Sequence, residues 1–552
     1  MSLNSKKGLF LLLTASIAAY SDILSSPRVA EPSQVHAKLL KTPSYGGSLV
    51  IGHNNSPAII NPILTDSTVS MSVMTLVFNR LVQRNADGEI CGDLAKSWEI
   101  SQDGLAYTFH LRPGIKFHDE VEITAEDILY TYERIKDPQN HSPYFRNLNL
   151  VRSMEAVDRY TFRIILNEPS SSFIYVLVRE VVPKHLYEKG NIRSGAFNHH
   201  PIGTGPFRFV EWNRDNQITL EANPEYFEGR PFLNRVVYKF YSTDSEVWSA
   251  LMRGEVDLAE FLSVENYELI KKDPSFKTYA NATSDYYLIS YNLADPLVSD
   301  QNVRTAIAHA IDIRGLIDRV EKGYGLQATG PFSEKSWAFN PEVHPFPYDP
   351  ALSVRLLKEA GWSDSDGDGI LDKSGLRLSI RMLVNSKDEK LKKMAMFIRQ
   401  NLQEAGIDLQ IQLYRNLDEI DPSSEKKFQA VLTFFLGPIL DPNETIKLWY
   451  SQDRRAGKVW SYQSLNSELD KLIYLGSVTT DQASRQKIYR EIHRLIYQEQ
   501  TACFLYFPFD FHAISKKFGG SDSFLSSLYM PDNLIRNFYV QGEVFTNEGG
   551  DN

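Results

Sequence analysis

Cysteine is scarce. Cys91 and Cys503 are the only two in 552 residues, too few for a disulfide framework and without the CxxC spacing of a zinc or redox site. Both stand in apolar, strand-like surroundings where a buried free thiol is the commoner state, although an oxidising compartment would allow one long-range bridge. Positive charge is also in deficit, with 59 Lys and Arg against 69 Asp and Glu, a net charge of -10 and a pI near 5.7. That balance argues against nucleic acid or an anionic membrane as the main partner. Beyond the N-terminus no apolar run is long enough to span a bilayer. The sequence has no Gly-Lys-Ser/Thr phosphate loop, Gly-x-Ser-x-Gly elbow or His-Glu-x-x-His helix, so nucleotide cradling, serine hydrolysis and zinc proteolysis lack their motifs. Scattered carboxylates leave a glycosidase open, because its paired acids come from distant positions.

The length allows roughly three or four domain-sized units, and an apolar content of 42% is ordinary for a chain with a large packed core. At the N-terminus Lys6 and Lys7 precede the apolar run Gly8 to Leu13, and the small residues Ala15, Ser16, Ala18 and Ala19 follow. This reads as a cleavable export signal, cut after Ala18 or after Ala37. No cysteine lies near either point to carry a lipid anchor. The mature chain is expected in a periplasm, with residues 1–40 as signal and linker and the polar end 541–552 as a disordered tail.

Between these ends, strands and helices alternate. Tyr107 to Leu111 alternates by twos, and Thr124 with Asp127 three residues on starts a helix over Ala125 to Ile135. Helix Asp244 to Arg253 stops at Gly254. Gly361 and Gly406 each follow a helix and precede a strand, which is the punctuation of an α/β fold. Phe428 to Gly437 is nearly continuous in apolar residues and fits a central strand covered on both faces. His118-Asp119 invites an acid–base reading, but it falls in a strand-to-helix turn and reads as solvated. Arg304 and His309, on a helix with apolar residues at helical spacing, read as structural. Asp364-Ser365-Asp366-Gly367-Asp368-Gly369-Ile370-Leu371-Asp372 alternates carboxylates, with a glycine at the sixth position, as the first half of a calcium loop does. The twelfth position is Gly375 rather than a bidentate Glu. Asp364, Asp366, Asp368 and Asp372 are therefore either a partial structural calcium site or a solvated acidic turn, and no other cofactor is expected.

The stretch around which the chain is organised is Pro201-Ile202-Gly203-Thr204-Gly205-Pro206-Phe207-Arg208-Phe209, followed by Val210-Glu211-Trp212 and by Asn223-Pro224-Glu225-Tyr226-Phe227. Prolines fix φ and glycines permit close backbone approach, so this is a rigid turn feeding a strand. It resembles the block that marks family 5 extracellular solute-binding proteins, the dipeptide-, oligopeptide- and nickel-binding proteins of ABC importers. The likeness continues in order through Val77 to Val82, Asp93 to Glu99, Tyr107 to Asp119, Gly254-Glu255-Val256-Asp257 and Asp441-Pro442.

The resemblance implies a two-lobed α/β periplasmic-binding-protein fold (type II, cluster C) with an extra strand-rich subdomain in the first lobe. It divides the chain into lobe I (41–61, 204–288 and 504–540), the extra subdomain (62–203) and lobe II (289–503), with Tyr286 to Asn292 and Cys503 to Phe507 as the crossing strands. It implies no enzyme, but a monomeric receptor that captures peptides in an inter-lobe cleft and hands them to permease subunits in the inner membrane. A nickel complex, haem, sugar or peptide conjugate is the alternative cargo. Cleft candidates by this likeness are Asn61, Thr65, Ser67, Lys387, Phe434, Phe435, Leu436, Gly437 and Asp441. Thr65 and Ser67 also read as turn caps, and the two phenylalanines as core. The chain departs from the family at Pro438, where peptide-binding members carry the Asp that neutralises the peptide's amino group. It departs again near Asn385-Ser386-Lys387, where dipeptide binders place an arginine.

Overall fold

The computed structural model describes residues 43–85, 88–213, 216–415, 428–437, 441–451, 466–525 and 532–541. The signal segment, Pro438 and all but the first residue of the polar tail lie outside the described residues. The first half of the chain forms strands β1 (Ser48–His53), β2 (Ala95–Ile100), β3 (Ala106–Leu111), β4 (Val151–Asp158), β5 (Thr161–Leu166), β6 (Phe207–Asn213), β7 (Gln217–Ala222), β8 (Arg235–Phe240), β9 (Leu258–Ala259) and β10 (Phe276–Ala282). Strands β2 to β5 make a separate antiparallel sheet in the order β2-β3-β5-β4. Their period-two pattern buries Phe109, Leu111, Phe162 and Ile164 on one face. Helices α1 (Thr68–Val77) and α2 (Ala125–Lys136) pack into this half. The expected capping box of α2 forms, with the Thr124 side chain on the N3 backbone and Asp127 reaching back.

The second half contributes β11 (Tyr286–Tyr291), β12 (Gly325–Gln327), β13 (Ser379–Asn385), β14 (Asp408–Tyr414), β15 (Ala430–Phe435) and β16 (Ala502–Ser515). Helices α3 (Gln301–Ala310), α4 (Ile313–Glu321) and α5 (Glu389–Glu404) cover one face, and α6 (Ser467–Val478) and α7 (Gln482–Glu499) the other. Ala430 to Thr433 are buried between these layers, so β15 is the central strand its composition predicts. Arg304 is structural, as expected: its buried guanidinium donates to the carbonyls of Val298, Ser299, Glu499 and Gln500.

The two halves are joined by a ribbon. Strand β16 pairs through Ala502–Tyr506 with β11, through Tyr506–Pro508 with β12, and through Phe509–Ser515 with β10. It therefore closes both sheets, β10-β16-β9-β1-β8-β7-β6 in the first half and β14-β13-β15-β11-β16-β12 in the second. The anticipated cuts at 288/289 and 503/504 fall inside β11 and β16, because strand pairing keeps the sheet intact up to the ribbon itself.

The Gly203-Thr204-Gly205 turn owes its glycines to α1. A Cβ on Gly203 would lie 2.0 Å from the Val77 carbonyl oxygen, and one on Gly205 2.4 Å from that of Leu76. The Gly205 N–H donates to Val77 instead (2.8 Å). His118 corrects the solvated-turn reading. Its N–H donates to the Gly203 carbonyl, its Nε2 meets the Gly205 carbonyl at 3.0 Å, and burial lowers the imidazole to about 4. Asp119 is tied to His185 at 2.8 Å. Both cysteines are free thiols, Cys503 buried in β16.

Burial likewise lowers His53, His493 and His512 to about 4, while it raises Asp93 to about 7 and Asp510 to about 6. As pH falls below 6.5 the unfolded chain protonates four imidazoles that the folded state keeps neutral, which costs stability. The two carboxyls act in the opposite sense, because the folded state holds their protons where the unfolded chain has released them. Asp127 and Asp285, raised by lesser amounts, act in the same sense as these two, and the four imidazoles still leave a net uptake of protons on unfolding between pH 6.5 and 4.5. Thermal unfolding across that window is expected to show a steadily falling midpoint on acidification; a flat or rising midpoint would contradict these burials.

Candidate functional site

The C-terminal ends of β13, β14 and β15 open onto the edge of the second sheet nearest the ribbon, where ligands gather in α/β sheets. Here the connection between β10 and β11 turns through Thr283, Ser284 and Asp285. The Thr283 N–H and hydroxyl both donate to the Pro508 carbonyl (2.9 and 3.1 Å). The Gly437 N–H donates to Asp285 Oδ1 at 2.9 Å, which fixes the end of β15 against the ribbon. Strand β13 accompanies β15 only at Ala430 and Val431, whereas β11 follows it to Phe435. The last residues of β15 thus run toward the cleft without β13 alongside. Leu436 is 63% and Phe434 38% exposed there.

Behind Phe434 lies an aromatic stack. The Tyr287 ring is 5.0 Å from Phe434 and 4.9 Å from Tyr506. The Tyr506 hydroxyl donates to Glu321 Oε1 (2.8 Å), and Lys390 Nζ pairs with the same oxygen (2.8 Å). Asp285, Asp388, Asp510 and Glu321 all act on Tyr287, and burial together with this negative field drives its hydroxyl far above the usual phenol range. Burial is the main cause of the raised Asp510 carboxyl; Asp285 adds to it and Lys390 opposes it. Asp285 is also raised by burial, against the lowering effect of the Gly437 N–H.

The halves touch a second time away from the ribbon. The Ser171 N–H donates to the Ser477 carbonyl (2.8 Å), and the Ser171 hydroxyl meets the Gly476 and Ser477 carbonyls, each at 3.0 Å. These are last-turn carbonyls of α6, which have no partner within the helix. Asn443 Nδ2 donates to Ser172 Oγ at 3.1 Å.

This architecture has known counterparts. Residues 89–457 match the model of bacterial extracellular solute-binding proteins, family 5. The chain belongs to that family. The oligopeptide-binding protein AppA of Bacillus subtilis is 27% identical over 489 residues, covering 87% of this chain and 89% of that one. A structure of AppA from the same organism in complex with a nonapeptide superposes with a TM-score of 0.70 at 26% identity, covering 91% of this chain and 100% of the other. NikZ from Campylobacter jejuni in complex with Ni(L-His) gives 0.72 at 26% identity, with coverages of 89% and 99%. The two halves are accordingly the two lobes of a periplasmic-binding-protein fold.

Within this solute-binding protein the expected cleft residues separate into two groups. Phe434, Leu436 and Gly437 come together at the end of β15, and exposed Lys387 follows the end of β13. Phe435 packs on Tyr286 at 5.4 Å, on the other face of its strand. Asn61 is fully buried, with its amide spent on Asn198 Oδ1 and the Ile63 N–H, and it has no surface for a ligand. Thr65 accepts from the Ser67 N–H, and Ser67 is the N-cap of α1, so both act in turn geometry. Asp441 is buried in an ion pair with Arg485 at 2.7 Å.

Oxygens of Asp364, Asp366 and Asp368 lie within 4.8 Å of one another. Asp372 is drawn away by the N–H and hydroxyl of Ser365, and Asp368 is bridged by Arg377. This loop precedes β13 and so lies at the opposite end of that strand from Lys387. Neither Asp285 nor Asp510 falls in a recognisable motif, although Asp510 is the only charged residue in the apolar run Cys503 to Phe511.

Proposed function

We propose that this chain is the peptide-capturing component of an ABC importer, exported to the periplasm by its N-terminal signal and delivering cargo to a membrane permease. The observation that carries the reading is the end of β15, a strand running past its neighbour β13 into the space at the ribbon. An extended peptide can add its backbone to such an edge irrespective of side chains, with Phe434 and Leu436 supplying apolar contacts. The family and the AppA likeness support this role, which is capture rather than turnover. No helix among the described residues is long and apolar enough to cross a membrane, consistent with a permease as separate partner. The protein acts as a monomer. A calcium ion, if bound by Asp364, Asp366 and Asp368, is structural, because that loop is remote from the cleft end of β13.

Calorimetric titration with a set of peptides from two to nine residues, followed by solution scattering of the complex, tests the reading. Binding is expected with a reduced scattering radius and a melting midpoint that climbs with occupancy. Saturating binding with both radius and midpoint unchanged would overturn closure, and no binding by any peptide would overturn the cargo class.

A further inference from the structure

Just past the C-terminal end of β9, Phe261 has a φ of 56°, in the left-handed region that a bulky L-residue rarely enters. It is also 51% exposed. The conformation redirects its side chain. On β9, Leu258 faces the core of the first half with Ile514, and Ala259 faces the other way with Phe511 and Ala513. Regular alternation would carry Phe261 to the Phe511 side, into the packed layer beneath the helix Val264–Ile270. Its ring instead meets that of His512 edge-on at 5.5 Å, and His512, consecutive with Phe511 in β16, points to the opposite face. His512 is itself unusual: it is 0% exposed, and neither ring nitrogen has a hydrogen bond among the described residues, whereas buried polar groups ordinarily have partners. Backbone strain and an unpartnered imidazole thus meet at one place, and such strain collects at ligand clamps.

That place borders the cleft. The Leu262 N–H donates to the Phe511 carbonyl (2.8 Å), so Phe261 stands roughly 10 Å of strand beyond Pro508, the residue to which Thr283 ties the ribbon. Tyr506 and His512 share one face of β16, being an even number of residues apart. Tyr506 carries Tyr287 and then Phe434 on that face, as His512 carries Phe261. Exposed Phe261 of lobe I and exposed Phe434 of lobe II therefore flank the ribbon on the same side. We propose that Phe261 is a specificity-determining residue of the cleft, which receives an apolar side chain of the cargo on its ring. The left-handed backbone holds that ring out of the core, and cargo buries the area that solvent now touches. The inference rests on the peptide reading and deepens it. Backbone pairing at the end of β15 is indifferent to side chains, whereas Phe261 favours leucine, phenylalanine and their like.

The test makes each peptide length of the set in two forms, one carrying leucine and phenylalanine side chains and one of glycine and serine alone. Both forms are titrated into wild-type, Phe261→Gly and Phe261→Asn proteins. Glycine and asparagine both accept the left-handed region, so the ligand-free variants are expected to melt at or above the wild-type midpoint, which loss of a packing residue would not allow. Binding of the apolar form is expected to weaken by about tenfold, the scale of leaving part of an aromatic ring uncovered, while the glycine-serine form binds as before. An undiminished preference for the apolar form, an equal loss for both forms, or a midpoint below wild type in both variants overturns the role of Phe261 and leaves the peptide reading standing. Binding of neither form by the wild-type protein overturns both.

Discussion

Gly437→Ala is expected to abolish cargo binding and to destabilise the protein by about 2–4 kcal/mol, the sum of backbone overpacking and a weakened charge-assisted hydrogen bond. The added Cβ would lie 1.7 Å from the Ser284 carbonyl oxygen, 2.3 Å from its carbon and 3.1 Å from the Asp285 nitrogen. All three are backbone atoms, so no side chain can swing aside. Either the end of β15 or the ribbon must move, and the Gly437 N–H leaves Asp285. Phe434 and Leu436 move with it. Urea unfolding and calorimetry check the two halves of this expectation, and a variant within about 0.5 kcal/mol of wild type that still binds would contradict the contact.

Arg485→Met has the second large effect. Arg485 and Asp441 have side chains 4% and 0% exposed; Arg485 pairs with Asp441 Oδ1, and Oδ2 is buried without a hydrogen bond among the described residues. Removing the guanidinium leaves a buried carboxylate without a countercharge, which costs about 3–5 kcal/mol. The cost should shrink markedly in the double variant Asp441→Asn/Arg485→Met, because the charge is then gone. Asp441 Oδ1 also accepts from the Asn443 N–H, and Asn443 reaches Ser172 of the other lobe. The single variant is therefore expected to bind cargo more weakly as well as to unfold at lower urea. A change below about 1 kcal/mol, the range of an exposed pair, would show that the pair is not held as described.

Much of the fold is legible locally. Thr124 and Asp127 announce α2, and Gly361 and Gly406 take positive φ where two helices end. The composition of β15 announces a strand buried on both faces. The close approach implied by Gly203 and Gly205 is real, but that the approaching surface is α1 required three dimensions. The candidate site is less legible because it is assembled from distance. Asp285 and Asp510 come to the same stretch of the ribbon only because β11 and β10 pair in succession with one strand, β16, more than two hundred residues later. Asn61 is a cleft candidate by family likeness, yet Asn198, remote in sequence, claims its amide. Residue type gave the polar character of Asp441 but not Arg485 as the partner that takes it out of the cleft.

Native mass spectrometry of the protein isolated from its own periplasm, with denaturation to identify whatever is released, tests peptide capture most directly. The account predicts a distribution of short peptides, lost together from the Gly437→Ala variant. A single metal complex, haem or sugar would contradict it.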